Sequence, residues 1–341
     1  MSIVGAFDVH RRQLTFDYLD TVTGEVKRGR VVPADREHLR AWLARFAGQD
    51  DVHFALEGRT GWRYVVEELI AAGITPHLAE PADTAALRGR KRHAKTDKTD
   101  SRHLRVHLAA GDLPECWIPP AHVLEARATV RLYKDLLDER GCWHQRIAAT
   151  LFHQGVPAGP SMCTAQGRAT VAGMDLSPAG RQAVETGLRQ IGRLTSELDP
   201  LRRQLDMMSR RQPGCRALRV TQYGIGPVTA VAIWAELGDV RRFASSDDVI
   251  RHTGLDITVY SSDGKRSAGH LSRQGPQLLR WALYESAKCA ARPSAPDHGY
   301  YTAARDRRTA GLATLSVARK LARRCYHTLR ELGEEAQAPA A

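Results

Sequence analysis

The sequence predicts an α/β domain at the N-terminus, then a helical, coiled-coil-like region, then a mainly α C-terminal domain. Three observations carry that reading. Residues 1 to about 110 alternate short apolar strand patterns with amphipathic helix patterns. From Pro114 to about Met208 the pattern becomes helical, and from Pro213 to about Gly333 helices flank a Gly/Ser-rich middle. The expected divisions are 1–112, 113–210 and 211–333, with 334–341 a disordered Ala/Pro-rich tail. A chain of 341 residues, 43% of them hydrophobic, can pack two or three such cores.

The N-terminal elements follow in order. Ile3 to Val9 is a short apolar strand, Gln13 to Tyr18 alternates with period two, and Thr23-Gly24-Glu25 turns into a third strand, Val26 to Val32. Asp35 caps a helix through Leu39, Trp42, Leu43 and Phe46. A strand at Val52–Leu56, a helix at Trp62–Ala72 and a strand at Ile74–Ala79 complete a β-β-β-α-β-α-β order. That order is the arrangement of ribonuclease-H-like folds, in which the first acidic residue sits mid-sheet on strand one and the second on strand four. Asp8 and Glu57 fall at those places.

In the helical region Val184, Leu188, Ile191, Leu194, Leu198, Leu201, Leu205 and Met208 are spaced by threes and fours, close to a heptad seam. A helix pair within one subunit and a dimerising coiled coil explain the seam equally well. Pro200, inside the run, is expected to kink it or to start a new helix. Gly155 to Gly173, rich in Gly, Pro, Ser and Ala, reads as a loop.

Composition narrows the partners. The net charge of +12 points to an anionic partner. A nucleic acid fits better than a membrane, because no apolar stretch approaches the ~20 residues needed to span one. No basic-then-apolar leader precedes the first strand pattern, and the six cysteines form no Cys-x-x-Cys pair. A cytoplasmic protein with reduced thiols is expected.

Four carboxylates stand out. Asp8 and Glu57 close apolar strand runs, and Asp97 and Asp100 lie three apart at a helix start, on one face. Converging carboxylates repel one another unless hard cations neutralise them, and oxygen donors suit Mg²⁺ or Mn²⁺. Paired ions about 4 Å apart can activate one oxygen and stabilise another in phosphoryl transfer. The run from Leu87 to Arg105 surrounds the two aspartates with Arg88, Arg90, Lys91, Arg92, Lys95, Lys98, Arg102 and Arg105, cations able to draw in a polyanion.

Two further motifs lie downstream. Gly224-Ile225-Gly226-Pro227 opens an apolar helix; it is either a tight turn between packed helices or a helix-hairpin-helix-like grip on DNA phosphates. Tyr260 to Gly275 places Ser261, Ser262, Ser267 and Ser272 among Gly, Lys265, Arg266 and Arg273. By residue type this is a flexible phosphate-binding loop, in which a nucleophilic serine is the minority reading.

These motifs, together with Lys95-Thr96-Asp97-x-x-Asp100 and Trp117-x-Pro119, occur in an order that resembles the insertion-sequence transposases of the IS-one-ten family. The similarity runs from about residue 3 to about residue 330. It implies an N-terminal RuvC-like DEDD domain whose acidic residues, here Asp8, Glu57, Asp97 and Asp100, bind Mg²⁺. It also implies a C-terminal domain whose serine attacks the DNA backbone and becomes covalently linked to it. A non-coding bridge RNA would pair with donor and target DNA, and the active form would be a dimer of dimers, associated with the nucleoid of a bacterial cell. Counting back from Gly269 places the serine at Ser262, with Ser272-Arg273-Gln274-Gly275 as the downstream element. Asp263 replaces the family's glycine after the serine, which keeps Ser261 as the alternative nucleophile. Tyr223 replaces a proline, and Gly254-Leu255-Asp256-Ile257 lacks a closing proline. A hydrolytic RuvC-like endonuclease, using the carboxylates without a serine, and a non-catalytic nucleic-acid binder are the competing functions.

Overall fold

The computed structural model describes residues 1–87, 97–156, 164–258, 261–262, 265–266 and 269–339, with only the backbone described at 261–262 and 265–266. It divides into two compact units, Met1–Ile118 and Pro119–Ala341.

The first unit is a mixed sheet with helices on both faces. Its elements are β1 (Ile3–Val9), β2 (Leu14–Asp20), β3 (Val26–Val31), α1 (Arg36–Leu43), β4 (Val52–Glu57), α2 (Trp62–Ala71), β5 (Thr75–Ala79), α3 (Pro81–Leu87) and α4 (Asp97–Ala110). The strand order is β3-β2-β1-β4-β5. β1, β2 and β3 form an antiparallel meander, and β4 and β5 run parallel to β1. This is consistent with the ribonuclease-H-like, RuvC-type order, with β1 in the middle. Asp35 caps α1 as expected, its side chain accepting from the His38 backbone N–H.

Alternation along the strands sorts side chains to two faces. Ile3, Phe7, Phe16, Tyr18, Phe54 and Leu56 pack with Leu39, Trp42, Val65 and Leu69 of α1 and α2. On the opposite face, Val4, Ala6, Ala55 and Ala79 meet Leu104 and Leu108 of α4. Three of those four strand residues are alanines, so the backbone of α4 can lie close to the sheet. Asp8 continues the series Val4, Ala6, and Glu57 continues Ala55. Both carboxylates therefore belong to the face that α4 covers.

The second unit comprises α5 (Ala121–His153), α6 (Ala165–Ala172), α7 (Pro178–Arg211), α8 (Pro213–Thr221), α9 (Pro227–Leu237), α10 (Ser246–Thr253), β6 (Ser261–Ser262), β7 (Lys265–Arg266), α11 (Gln277–Ala287), α12 (His298–Arg307) and α13 (Ala310–Leu332). Its centre is α9, buried from Ala230 to Leu237. The seam residues Val184, Ile191, Leu194, Leu198 and Leu205 are buried, and α7 packs against α5 and α9 of the same chain. The near-heptad thus serves an intrachain helix pair.

Three expectations are corrected here. Pro200 does not divide α7; the helix runs through it, with Pro200 itself exposed and the buried seam continuing on both sides. The expected loop at 155–173 contains α6, whose start is capped by Thr164 Oγ1 accepting from the Gly167 N–H at 3.0 Å. The tail expected to be disordered is tied down through Ala338. Trp234 Nε1 donates to the Ala336 carbonyl at 2.7 Å, Gln212 Nε2 donates to the Ala338 carbonyl at 2.8 Å, and Ala336 is buried. Buried donors on α9 and at the start of α8 need acceptors, and the tail backbone supplies them. Residues 340 and 341 lie outside the described set.

Candidate metal and nucleic-acid site

The acidic face of the first unit is assembled from three neighbouring segments. Asp8 is the penultimate residue of β1, and Asp97 and Asp100 fall in the first turn of α4. Between β1 and β2 the chain turns through His10 to Gln13, closed by the His10 N–H donating to the Gln13 carbonyl at 3.0 Å. His10 Nε2 lies 3.1 Å from Asp8 Oδ2 and 3.6 Å from Asp97 Oδ1. Gln13 Nε2 donates to the other Asp97 oxygen at 3.0 Å. One donor atom each from Asp8, His10 and Asp97 lies within 4.8 Å of the others. Burial raises the Asp8 pKa; His10 opposes this, and the nearby Asp100 and Asp97 carboxylates add to it. Asp100 is therefore close enough to act electrostatically on Asp8.

Glu57 ends β4, the strand beside β1, where Phe7 pairs with Leu56. Glu57 follows that pair on β4 as Asp8 follows it on β1, and Arg59 Nε is 2.6 Å from the Glu57 carboxylate. Asp8 and Asp97 come together with His10, Asp100 acts on Asp8 through its charge, and Glu57, at the end of the neighbouring strand, is ion-paired with Arg59. His10 is the residue that the sequence reading missed. Its signal was present: His10 follows Asp8 by two residues, the spacing that returns a side chain to the same side while the chain stays extended.

These residues fit a divalent ion. Two carboxylates and an imidazole converge, and like charges on Asp8, Asp97 and Asp100 gain from a cation among them. Thr15, the β2 partner of Asp8, is buried and its hydroxyl has no hydrogen-bond partner among the described residues. The domain type implies divalent-metal use, and Asp8, Asp97 and His10 could hold such an ion, with the Asp100 charge acting on Asp8.

The position of α4 is fixed by a buried ion pair. Asp17 is 1% exposed. Arg105 of α4 donates from Nε to one of its oxygens, and Arg28 of β3 donates to the other at 2.6 Å. Asp17 pairs with Ala6 across β1 and β2, and with Arg28 across β2 and β3. Arg105, grouped with the basic run in the sequence reading, is thus an internal anchor, because a buried aspartate requires its charge. Lys98 is exposed in the first turn of α4. Arg88, Arg90, Lys91, Arg92 and Lys95 lie outside the described residues.

In the second unit, Gly224 and Gly226 form the turn between α8 and α9. Gly224 has φ +89°, and a Cβ there would meet the Ser286 carbonyl oxygen at 2.5 Å. The Gly226 N–H, at the N-cap of α9, donates to Thr229 Oγ1 at 3.0 Å. In this arrangement the turn packs on α11, and at least one of its N–H groups is engaged internally.

The serine motif is a β-ribbon standing on the end of α10. Ser261 pairs with Arg266 and Ser262 with Lys265, which places both candidate serines opposite the two basic residues. The ribbon's foot is held by the Thr258 N–H donating to the His270 carbonyl at 2.9 Å and the Ser272 N–H donating to the Asp256 carbonyl at 3.1 Å. Ser272 Oγ also bonds Asp256 Oδ1. Gly254 (φ +66°) and Gly275 (φ +107°) make close backbone crossings there; a Cβ would lie 2.2 Å from the Gln274 oxygen and 2.1 Å from the His252 oxygen, respectively. Arg273 is exposed, with a left-handed φ of 54° that a side chain takes at some cost. Ser272 and Gly275 of the Ser-x-x-Gly element therefore build the foot of the ribbon, and the serines lie toward its tip.

Known proteins bear on both units. Residues 6–153 match the transposase model of the IS110 DEDD type, and residues 218–302 match the model described as "Transposase IS116/IS110/IS902 family". A "Probable family 20 transposase" of Pseudomonas aeruginosa is 25% identical over 287 residues, which covers 79% of this chain and 81% of that protein. No helix among the described residues is long and apolar enough to cross a membrane. With the DEDD segment holding the carboxylate face and the second segment spanning the serine ribbon, the chain is a transposase of the IS110 family, an enzyme that acts on DNA.

Proposed function

We propose that this transposase cuts and rejoins donor and target DNA under the guidance of a bridge RNA, with Asp8, Glu57, Asp97 and Asp100 holding Mg²⁺ and Ser262 as nucleophile. The convergence of Asp8, from β1, with Asp97, from α4, within ligand distance carries the reading. A bound divalent ion would supply charge neutralisation at the transferring phosphate. Ser262 Oγ would attack phosphorus and lose its proton, and the displaced deoxyribose oxygen would leave and take up a proton. The resulting phosphoserine diester conserves the bond energy, so a DNA hydroxyl can attack it, release the serine and restore a phosphodiester. Lys265 and Arg266, paired in backbone register with Ser262 and Ser261, are suited to hold the phosphate. Ser261 is the alternative nucleophile. The acidic face belongs to one unit and the serine to the other, so the reaction needs them brought together, by domain closure or from different subunits of a homo-oligomer. Arg88, Arg90, Lys91, Arg92, Lys95, Lys98 and Arg273, with the Gly224–Gly226 turn, are assigned to nucleic-acid contact.

The test is a strand-exchange assay with co-expressed RNA and labelled DNA. Asp8→Ala and Ser262→Ala should each abolish joined product, with RNA binding retained. Cleavage that persists in a variant lacking both Ser262 and Ser261 would replace this reading with a hydrolytic nuclease.

A further inference from the structure

We propose that His10 is an inner ligand of the ion held by Asp8 and Asp97, and that its nitrogen biases the site toward Mn²⁺ over Mg²⁺. The inference rests on the metal-site reading above and adds to the four carboxylates a donor of a different kind. Three geometric facts support it. Adjacent ligands of an octahedral ion with bonds of about 2.1 Å lie about 3 Å apart. His10 Nε2 is 3.1 Å from Asp8 Oδ2 and 3.6 Å from Asp97 Oδ1, spacings close to those of neighbouring ligands on one ion. Nε2 faces both carboxylates at once.

The placement is also held from outside the cluster. His10 begins the turn whose last residue, Gln13, clamps Asp97 Oδ2 at 3.0 Å. The β1–β2 turn and the start of α4 are thereby locked together, with Asp97 Oδ1 left on the His10 side. His10 is 51% exposed, so an ion can reach it from solvent and the ring is not needed for core packing. Imidazole is a good donor to first-row transition ions and a poor one to Mg²⁺, which favours oxygen. A site of carboxylates alone would lack this bias.

The experiment uses full-length protein and Mn²⁺ as probe, read by pulsed electron paramagnetic resonance. The spectrum should show nitrogen modulation from a directly bound imidazole, and His10→Gln should abolish it. Loss even of a group that only orients a ligand costs about 10- to 100-fold in metal affinity. His10→Gln should therefore weaken Mn²⁺ binding at least about 10-fold, with Mg²⁺ binding changed less; His10→Asp should restore affinity but not the Mn²⁺ preference. Mn²⁺ that binds, and is lost in Asp8→Ala, yet shows no nitrogen coupling and no change in His10→Gln would overturn the inference and leave the carboxylate site standing. Failure of the wild type to bind Mn²⁺, or binding unaffected by Asp8→Ala, would overturn both.

Discussion

Arg105→Leu should loosen α4 from the sheet and blunt the metal site without touching any candidate ligand. Asp17 is 1% exposed and Arg105 9%, so the pair lies out of water. Breaking such a pair by removing one partner costs about 3–5 kcal/mol, because a buried charge is left behind. Arg28 still holds the second Asp17 oxygen at 2.6 Å, which places the loss near the lower end, about 3 kcal/mol. At about 1.4 kcal/mol per tenfold, the backbone amides of α4 should exchange with solvent about 150-fold faster. Asp97 begins the same helix, eight residues or about 12 Å before Arg105, so metal affinity should fall with it. Hydrogen exchange followed by mass spectrometry reads the helix, and Mn²⁺ titration reads the site. Asp17→Leu combined with Arg105→Met removes both charges and should recover most of the protection. Exchange of α4 in Arg105→Leu within about threefold of wild type, under 1 kcal/mol, would refute the claim that this pair positions the acidic helix.

Three other outcomes follow from the geometry. Gly5→Ala in β1 places a Cβ 2.3 Å from the Phe54 ring and should destabilise the first unit by about 1–3 kcal/mol through overpacking, read as an earlier denaturant midpoint. His252 is held neutral, its pKa driven down to about 4 by burial and by the Arg242 charge. The unfolded chain then binds the extra proton below about pH 6.5, so stability is full above that pH and falls by up to about 3 kcal/mol as pH drops toward 4. His252→Gln should flatten that part of the pH–stability curve, and an unchanged curve would exclude the histidine as its source. Replacing Arg90 and Arg92 with Ala should weaken RNA and DNA binding across sequences and reduce the slope of log affinity against log salt by about 0.7–0.9 per lost contact; a slope equal to wild type would remove these arginines from the interface.

Much of the first unit was legible because its signals are local. Strand periodicity, the Asp35 cap and the apolar runs ending in Asp8 and Glu57 each depend on a few neighbouring residues. What was not legible depends on contacts distant in sequence. Arg105 looked like one more cation in a basic run, and only the fold puts it over Asp17, 88 residues away. His10 carried a period-two relation to Asp8, but its approach to Asp97 depends on where α4 begins. Pro200 was expected to kink α7 or to start a new helix; α7 continues through it, with buried seam residues on both sides. The tail read as disordered from composition, while its carbonyls are needed by Trp234 and Gln212. The Gly224–Gly226 turn shows how one motif serves two readings: its sequence suits an anion, and its Gly226 N–H is taken by the Thr229 hydroxyl of α9.

The central claim is that a serine of the ribbon, working with the carboxylate face, forms the bond to DNA. Incubating the protein with its RNA and a nicked DNA that cannot be rejoined, then digesting and sequencing the cross-linked peptide, tests it most directly. The account predicts a phosphodiester adduct on Ser262, formed only with Mg²⁺ or Mn²⁺ and lost in Asp8→Ala. An adduct on Ser261 would shift the nucleophile by one residue; efficient cleavage with no adduct on either serine would contradict the account.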